Sequence, residues 1–287
     1  MIKIMKNLFY ILVGLLFFSC ENYTESERIE KVPPYITNLT TPITNRESKQ
    51  RVLLEDYTGW KCVNCPRAAA KAKELISKYN TSLVVMAVHS TSFATPNAMN
   101  NNVDFRTEYG EKWAKDFGCN ALPTGLINRI KFGSIYTVGD GSWDSEIQNQ
   151  LSSLEHVMDI HLGKQYREEE NNIILSVEAE FLQGIAYPTN ISVVMVESGI
   201  IGVQLNSLSE YGPTPKIDDF EFEHVLRKKG IIDYPLSSES ISSGTKIAKN
   251  YLLEIDNDIQ NISKCSIIVF VSNALTNQII NVNEIHL

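Results

Sequence analysis

Asp56-Tyr57-Thr58-Gly59-Trp60-Lys61-Cys62-Val63-Asn64-Cys65-Pro66 is the stretch whose reading decides the fold. It carries two cysteines at C-x-x-C spacing, between an apolar run (Val52-Leu53-Leu54) and a helix-forming, alanine-rich run from Ala68 to Tyr79. A strand that hands a C-x-x-C to the first turn of a helix is the layout of a dithiol redox site. Two thiols separated by two residues close a disulfide ring with little backbone movement. The unpaired N–H groups and positive dipole end of the helix favour a thiolate there. The thiolate is the species that attacks a disulfide sulfur.

Working outward, Arg51 to Tyr57 predicts a buried strand and Pro66 to Lys78 a helix. Pro66 suits a first helical position, because its missing N–H would be unpaired anyway. That makes Cys65 the N-cap and puts Cys62 in the turn before it. Ser82 to Val88 reads as a buried parallel strand from its continuous hydrophobicity. Ser90 to Asn102 is a long polar loop, and Val103 to Phe117 a second helix closed by Gly118. Pro123 opens a strand over Thr124 to Asn128, with Lys131 to Val138 as its hairpin partner. Gly139-Asp140-Gly141 is a turn, and Ser142 caps a helix over Trp143 to Leu154 with Asp144 and Glu146 in its first turn.

The order strand, helix, strand, helix, strand, strand, helix resembles that of the thioredoxins, over residues 50 to 155. Three features carry the resemblance: Cys62-Val63-Asn64-Cys65 between strand and helix, Asp56 six residues before Cys62, and Phe117-Gly118-Cys119-Asn120-Ala121-Leu122-Pro123-Thr124. The resemblance implies a cis Leu122–Pro123 bond facing Cys62, followed by Thr124, and a buried Asp56 that moves protons at the dithiol; a carboxylate turned to solvent at the strand end is the other reading of Asp56. Cys62 would be the attacking thiolate, nearer the surface, and Cys65 the resolving one. The chain departs from the thioredoxin pattern where Lys61 separates Trp60 from Cys62, where Val-Asn replaces Gly-Pro, and where Pro66 follows the second cysteine.

The first 20 residues read as a lipoprotein signal peptide. Lys3 and Lys6 precede an apolar run from Leu8 to Phe18, and Leu16-Phe17-Phe18-Ser19-Cys20 has the order of a lipobox. Cys20 is then the lipidated residue, and the acyl chains tether the protein to a membrane. Residues 21–49, polar and carrying Pro33, Pro34 and Pro42, read as a flexible tether. The anchor places the chain in the cell envelope, where disulfides persist.

Beyond His156 the texture changes to alternating β-branched runs: Met158 to Leu162, Ile173 to Phe181, Ile191 to Glu197, Tyr251 to Ile255 and Cys265 to Val271. Short strands at this spacing predict an antiparallel, immunoglobulin-like β-sandwich. The expected organisation is a signal peptide (1–20), a tether (21–49), an α/β thioredoxin-like domain (50–156) and an all-β sandwich (157–287). The lipobox, Thr58-Gly59-Trp60-Lys61-Cys62-Val63-Asn64-Cys65-Pro66, Glu223-His224-Val225-Leu226-Arg227 and the terminal Ile279-Ile280-Asn281-Val282 together resemble the twenty-eight-kilodalton outer-membrane lipoprotein (Omp28-related) family of the Bacteroides group. That resemblance implies an outer-membrane location and brings no reaction with it.

Two functional classes stay open. One is thiol–disulfide exchange on proteins at Cys62 and Cys65. The other is a non-enzymatic surface lipoprotein whose sandwich binds a protein or glycan and whose C-x-x-C is a structural disulfide. Trp60 is either a platform beside the dithiol or core, and Lys61 a thiolate partner or a solvated charge. Cys119 is a third redox thiol, a partner of Cys265 or a buried free thiol. His89 lies near the site's edge, and His224 reads as structural. A net charge of -8 with no basic stripe excludes a nucleic-acid surface. No second C-x-x-C or histidine pair completes a metal site, and no cofactor is called for.

Overall fold

The apolar run ahead of the dithiol forms strand β1 (Val52–Thr58), and its alternation decides which layer each side chain joins. Leu53 and Tyr57 enter one core, Val52 and Leu54 another. A computed structural model describes residues 35–287; the predicted signal peptide with Cys20 and the first part of the tether lie outside the described residues. β1 runs parallel to β2 (Leu83–His89) and antiparallel to β3 (Thr124–Ile127). Helix α1 (Cys65–Tyr79) is the crossover that a parallel pair requires. Its buried Ala68, Ala72 and Leu75 recur at helical spacing and pack on the Val52 face, joined there by Trp143 and Ile147 of helix α3 (Trp143–Ser153). Helix α2 (Glu108–Asp116) covers the opposite face through Trp113 and Ala114. The order predicted for the first half is present except for the second strand after Pro123.

Three local expectations need correction. The helix predicted from Val103 begins at Glu108, because Thr107 caps it by accepting the Gly110 N–H at 2.9 Å. Ser142 accepts no capping bond; instead the Trp143 indole donates to the Val138 carbonyl at 2.9 Å. The return strand predicted over 131–138 shrinks to two isolated bridges, Gly125 with Val138 and Phe132 with Ile135.

The second half supplies β4 (Met158–Arg167), β5 (Asn172–Phe181), β6 (Thr189–Glu197), β7 (Ile200–Leu205), β8 (Lys216–Phe222), β9 (Val225–Ser237), β10 (Lys246–Glu254), β11 (Cys265–Asn273) and β12 (Ile279–His286). One seven-stranded sheet, in the order β12-β11-β6-β9-β2-β1-β3, runs through both halves of the chain. The halves meet where Ala87 of β2 pairs with Val225 of β9 and donates its N–H to the His224 carbonyl at 2.9 Å. β10, β5 and β4 form a separate three-stranded sheet, and β7 and β8 a two-stranded one. Strands β6 and β11 are buried on both faces. Val193, Met195, Ile267 and Val269 share a core with Leu175 and Val177 of β5, while Val194, Val196, Ile268 and Phe270 share the Trp113 core. That double burial is why these strands are continuously apolar.

The predicted tether ends earlier than expected. Ile36 bridges to Tyr251 of β10 and Asn45 to Leu162 of β4. A Cβ at Gly163 would lie 2.1 Å from the Pro42 carbonyl oxygen, so β4 carries glycine where this segment crosses it. Backbone pairing holds residues 35–49 against the β-rich half, and residues 35–287 form one compact unit.

Candidate functional site

At the end of β1 the chain turns through Gly59 into the dithiol. Cys62 and Cys65 form a disulfide with a Cα–Cα separation of 5.4 Å. The turn is closed by the Cys62 N–H donating to the Gly59 carbonyl at 2.9 Å and the Cys65 N–H to the Cys62 carbonyl at 3.1 Å. Asn64 is the N-cap, so Cys65 is the first helical residue rather than the cap. Glycine is required at position 59 because a Cβ there would meet the Phe93 carbonyl carbon at 2.6 Å. Where a loop was expected, a short helical turn over Thr91–Ala94 carries Phe93 and docks on the dithiol turn, the Phe93 carbonyl accepting the Lys61 N–H at 2.9 Å and the Thr95 carbonyl the Trp60 indole N–H at 3.0 Å. Trp60 is thus core rather than platform, packed with Phe105, Ile200, Phe222 and Val225. The Lys61 ammonium sits 5.2 Å over its ring.

Both cysteines are 2% exposed, which corrects the expectation that Cys62 lies nearer the surface. Over Cys62 lies the β7–β8 hairpin, which the sequence reading missed. The Leu205 N–H donates to the Trp60 carbonyl at 2.8 Å and the Ser207 N–H to the Val63 carbonyl at 3.0 Å. The Gln204 amide donates to the Cys62 carbonyl at 2.9 Å. The hairpin is flanked by two left-handed residues, Gly199 (φ 73°) and His224 (φ 55°). The two flanks are tied together by the His224 N–H donating to Ser198 Oγ at 2.9 Å. A buried glutamine between apolar residues, Val203-Gln204-Leu205, was the available signal: a buried amide needs partners.

Between α1, the β1–β2 floor and the hairpin lies a cleft of about 580 Å³. Asp56, Thr58, Ala87 and His89 form its floor, Cys65, Ala69 and Ile76 one wall, and Gln204, Tyr211 and Phe220 to His224 the other. Asp56 is buried, and its Oδ1 has no hydrogen-bond partner. Burial, reinforced by the charge of Asp140, pushes its pKa up to about 7. Asp140 itself is held by Arg67 of α1 through two contacts of 2.7 and 3.0 Å. His89 is buried with neither ring nitrogen partnered, wedged edge-on between Phe105 and Phe222. Burial, with the Arg227 charge added, lowers its pKa to about 3, so the ring is neutral.

Leu122–Pro123 is a cis peptide, and β3 starts directly after it with Thr124 opposite Tyr57. This places Pro123 at the end of the sheet where β1 hands over to the dithiol. Thr124 Oγ1 donates to the Val138 carbonyl at 3.3 Å. Cys119 and Cys265 are both free and buried in separate cores, so they do not pair with each other. Burial raises both thiols, Cys265 to about 12. His224 lines the cleft, and its main chain joins the two halves. Among the described residues, His161, Glu178 and Glu180 lie close enough to share a cation, but Arg46 and Lys246 already neutralise the two carboxylates at 2.9 Å each. No described helix is long and apolar enough to cross a membrane.

The family described as outer membrane protein Omp28 matches residues 111–287 of the chain. No curated protein matches. Among solved structures, HBP35 of Porphyromonas gingivalis is 17% identical with a TM-score of 0.59, covering 84% of this chain and 76% of that one. At that identity the likeness shows the fold alone. A domain of the outer membrane lipoprotein Omp28 from the same organism is 15% identical with a TM-score of 0.28, covering 46% of this chain and 88% of that one.

Proposed function

This chain belongs to the Omp28 family of outer membrane proteins, which places it at the outer membrane, and we propose that it carries out thiol–disulfide exchange there through Cys62–Cys65. The observation that supports this most is Asp56. An unpartnered buried carboxyl costs about 1–3 kcal/mol of stability. A staple across the turn has no use for it. A carboxyl with a pKa near 7, sharing a cleft with Cys65, is suited to pass a proton to and from a cysteine as the disulfide opens and closes. In each cycle a thiolate of a protein partner attacks one sulfur. The S–S bond breaks, a mixed disulfide forms, and the other cysteine departs as a thiolate. Cys20 carries the lipid anchor in this reading, and the three-stranded sheet packs on β6, β9 and β11 as a sandwich.

The test is insulin reduction by the full-length protein against Cys62→Ser, repeated for Asp56→Asn across pH 6 to 9. The serine variant loses the activity, and the asparagine variant loses the inflection near neutral pH. Equal rates in wild type and Cys62→Ser remove the exchange reading.

The hairpin over the dithiol favours a second reading, a structural disulfide in a surface protein whose β-rich half binds a protein or glycan. A loop this short gains only about 2 kcal/mol from being closed. On that reading the Cys62→Ser, Cys65→Ser double variant loses about that much stability, and no exchange is seen in any form.

A further inference from the structure

The exchange reading leaves open how anything reaches a disulfide whose cysteines are each 2% exposed. The two sulfurs differ in their surroundings. Cys62 lies under the hairpin, its carbonyl held by Gln204 and its neighbours Trp60 and Val63 bonded to Leu205 and Ser207. Cys65 lines the cleft, and Cys62 does not. The cleft holds about 580 Å³, the size of a small-ligand pocket and far too small for a folded protein. Its floor presents two polar side chains, Asp56 and His89, with unpartnered atoms although both are more than nine-tenths buried. Between them they can donate and accept hydrogen bonds. Buried polar groups left open in this way mark a place where a ligand supplies the missing partners. The lining also carries three acids, Glu210, Glu221 and Glu223, against one base, Lys73. That balance disfavours an anion.

We propose that the cleft admits uncharged or cationic low-molecular-weight thiols and their disulfides, and that these exchange at Cys65 rather than at Cys62. The proposal rests on the exchange reading and reverses the order of the two cysteines expected from the thioredoxin resemblance. The small thiol enters beside Asp56 and gives its proton to that carboxylate. Its sulfur attacks Cys65 Sγ, forming a new S–S bond as the Cys62–Cys65 bond breaks. Cys62 takes the electron pair and departs as a thiolate. No other oxidant or reductant is involved. Neutral His89 offers one donor and one acceptor to the polar part of the ligand.

The test uses full-length Cys62→Ser and Cys65→Ser, each reduced and then treated with cystamine, the disulfide of a cationic aminothiol. Modification is timed by mass spectrometry, with circular dichroism confirming that each variant is folded. By peptide mass, Cys65 in Cys62→Ser is modified about tenfold faster than Cys62 in Cys65→Ser. Adding Ala69→Phe, which fills the cleft wall, slows Cys65 about tenfold and leaves Cys62 unchanged. Oxidised glutathione, an anion, reacts with Cys65 more slowly than cystamine does. Equal or faster modification of Cys62, or indifference of Cys65 to Ala69→Phe, overturns the proposal and leaves the exchange reading standing. If neither cysteine reacts, both fall.

Discussion

Asp56 and His89, two residues apart in strand register, pull stability in opposite directions as pH changes. The Asp56 carboxyl has a pKa of about 7 in the fold against about 3.9 unfolded. Its stabilising contribution is complete below about pH 4 and is lost as pH rises to about 7. His89 has a pKa of about 3 in the fold against about 6.5 unfolded. Its contribution is complete above about pH 6.5 and is lost as pH falls toward 3. The two slopes oppose each other between about pH 4 and 6.5 and flatten the profile. Asp56→Asn removes one of them. Urea unfolding should find the variant gaining on wild type as pH rises from 4 to 8, by an amount of the order of a few kcal/mol. Parallel profiles would mean that Asp56 is not a buried carboxyl. At this scale the candidate site is legible because Asp56, Cys62 and Cys65 are local in the chain. The apolar setting of His89 depends on Phe105 and Phe222, which no local pattern connects to it.

The element that most changes the picture is the β7–β8 hairpin. Its sequence reads poorly because Gly202 interrupts β7, Asp218-Asp219 interrupts β8, and the connecting Tyr211-Gly212-Pro213-Thr214-Pro215 reads as a loop. It also forms its own sheet, so its pairing rests on β7 and β8 alone. Gln204 fastens it to the dithiol turn through the Cys62 carbonyl, and a second donor bond reaches the Leu205 carbonyl at 2.9 Å. Gln204→Ala loosens that fastening by about 1 kcal/mol, so reduction of the disulfide by a protein dithiol should speed up about fivefold. Reduction by cysteamine, which reaches Cys65 through the cleft that Gln204 only borders, should speed up less. Stopped-flow tryptophan fluorescence separates the two, since Trp60 sits beside the turn. Equal acceleration by both reductants would show that the hairpin guards both sulfurs alike.

At the scale of the whole molecule, one side chain ties the halves together. Arg129 makes a bidentate pair with Glu55 of β1 at 2.8 Å for both contacts, and its guanidinium lies 4.4 Å from the Trp113 ring and 5.2 Å from the ring of Phe270 on β11. Both partners of the pair are fully buried. Arg129→Met leaves Glu55 buried and alone, and should cost about 3–5 kcal/mol. Adding Glu55→Gln should recover much of that, since the stranded charge is then gone. With one sheet running through both halves, tryptophan fluorescence, which reports on Trp60, Trp113 and Trp143, should lose its native signal at the same urea concentration as the strand signal in circular dichroism. Two separated transitions would show that the halves fold independently.

The sequence by itself determined the local chemistry. The C-x-x-C at a strand-to-helix junction, the acid six residues before it, the proline opening β3 and all but one of the first-half elements in order are written in short-range periodicity and turn residues, because their hydrogen bonds close within the segment or with the next strand. The family resemblance drew on residues spread along the chain: the lipobox, the run from Thr58 to Pro66, Glu223 to Arg227 and Ile279 to Val282. Only the tertiary structure decided that the dithiol is covered, that Trp60 is core, that residues 35–49 are held against the β-rich half, and that β9 joins β2 to make one sheet of the two halves. Those outcomes depend on contacts between residues more than a hundred positions apart, such as Gln204 with Cys62 and Ala87 with Val225. Burial and pairing across that distance leave no period in the chain to read.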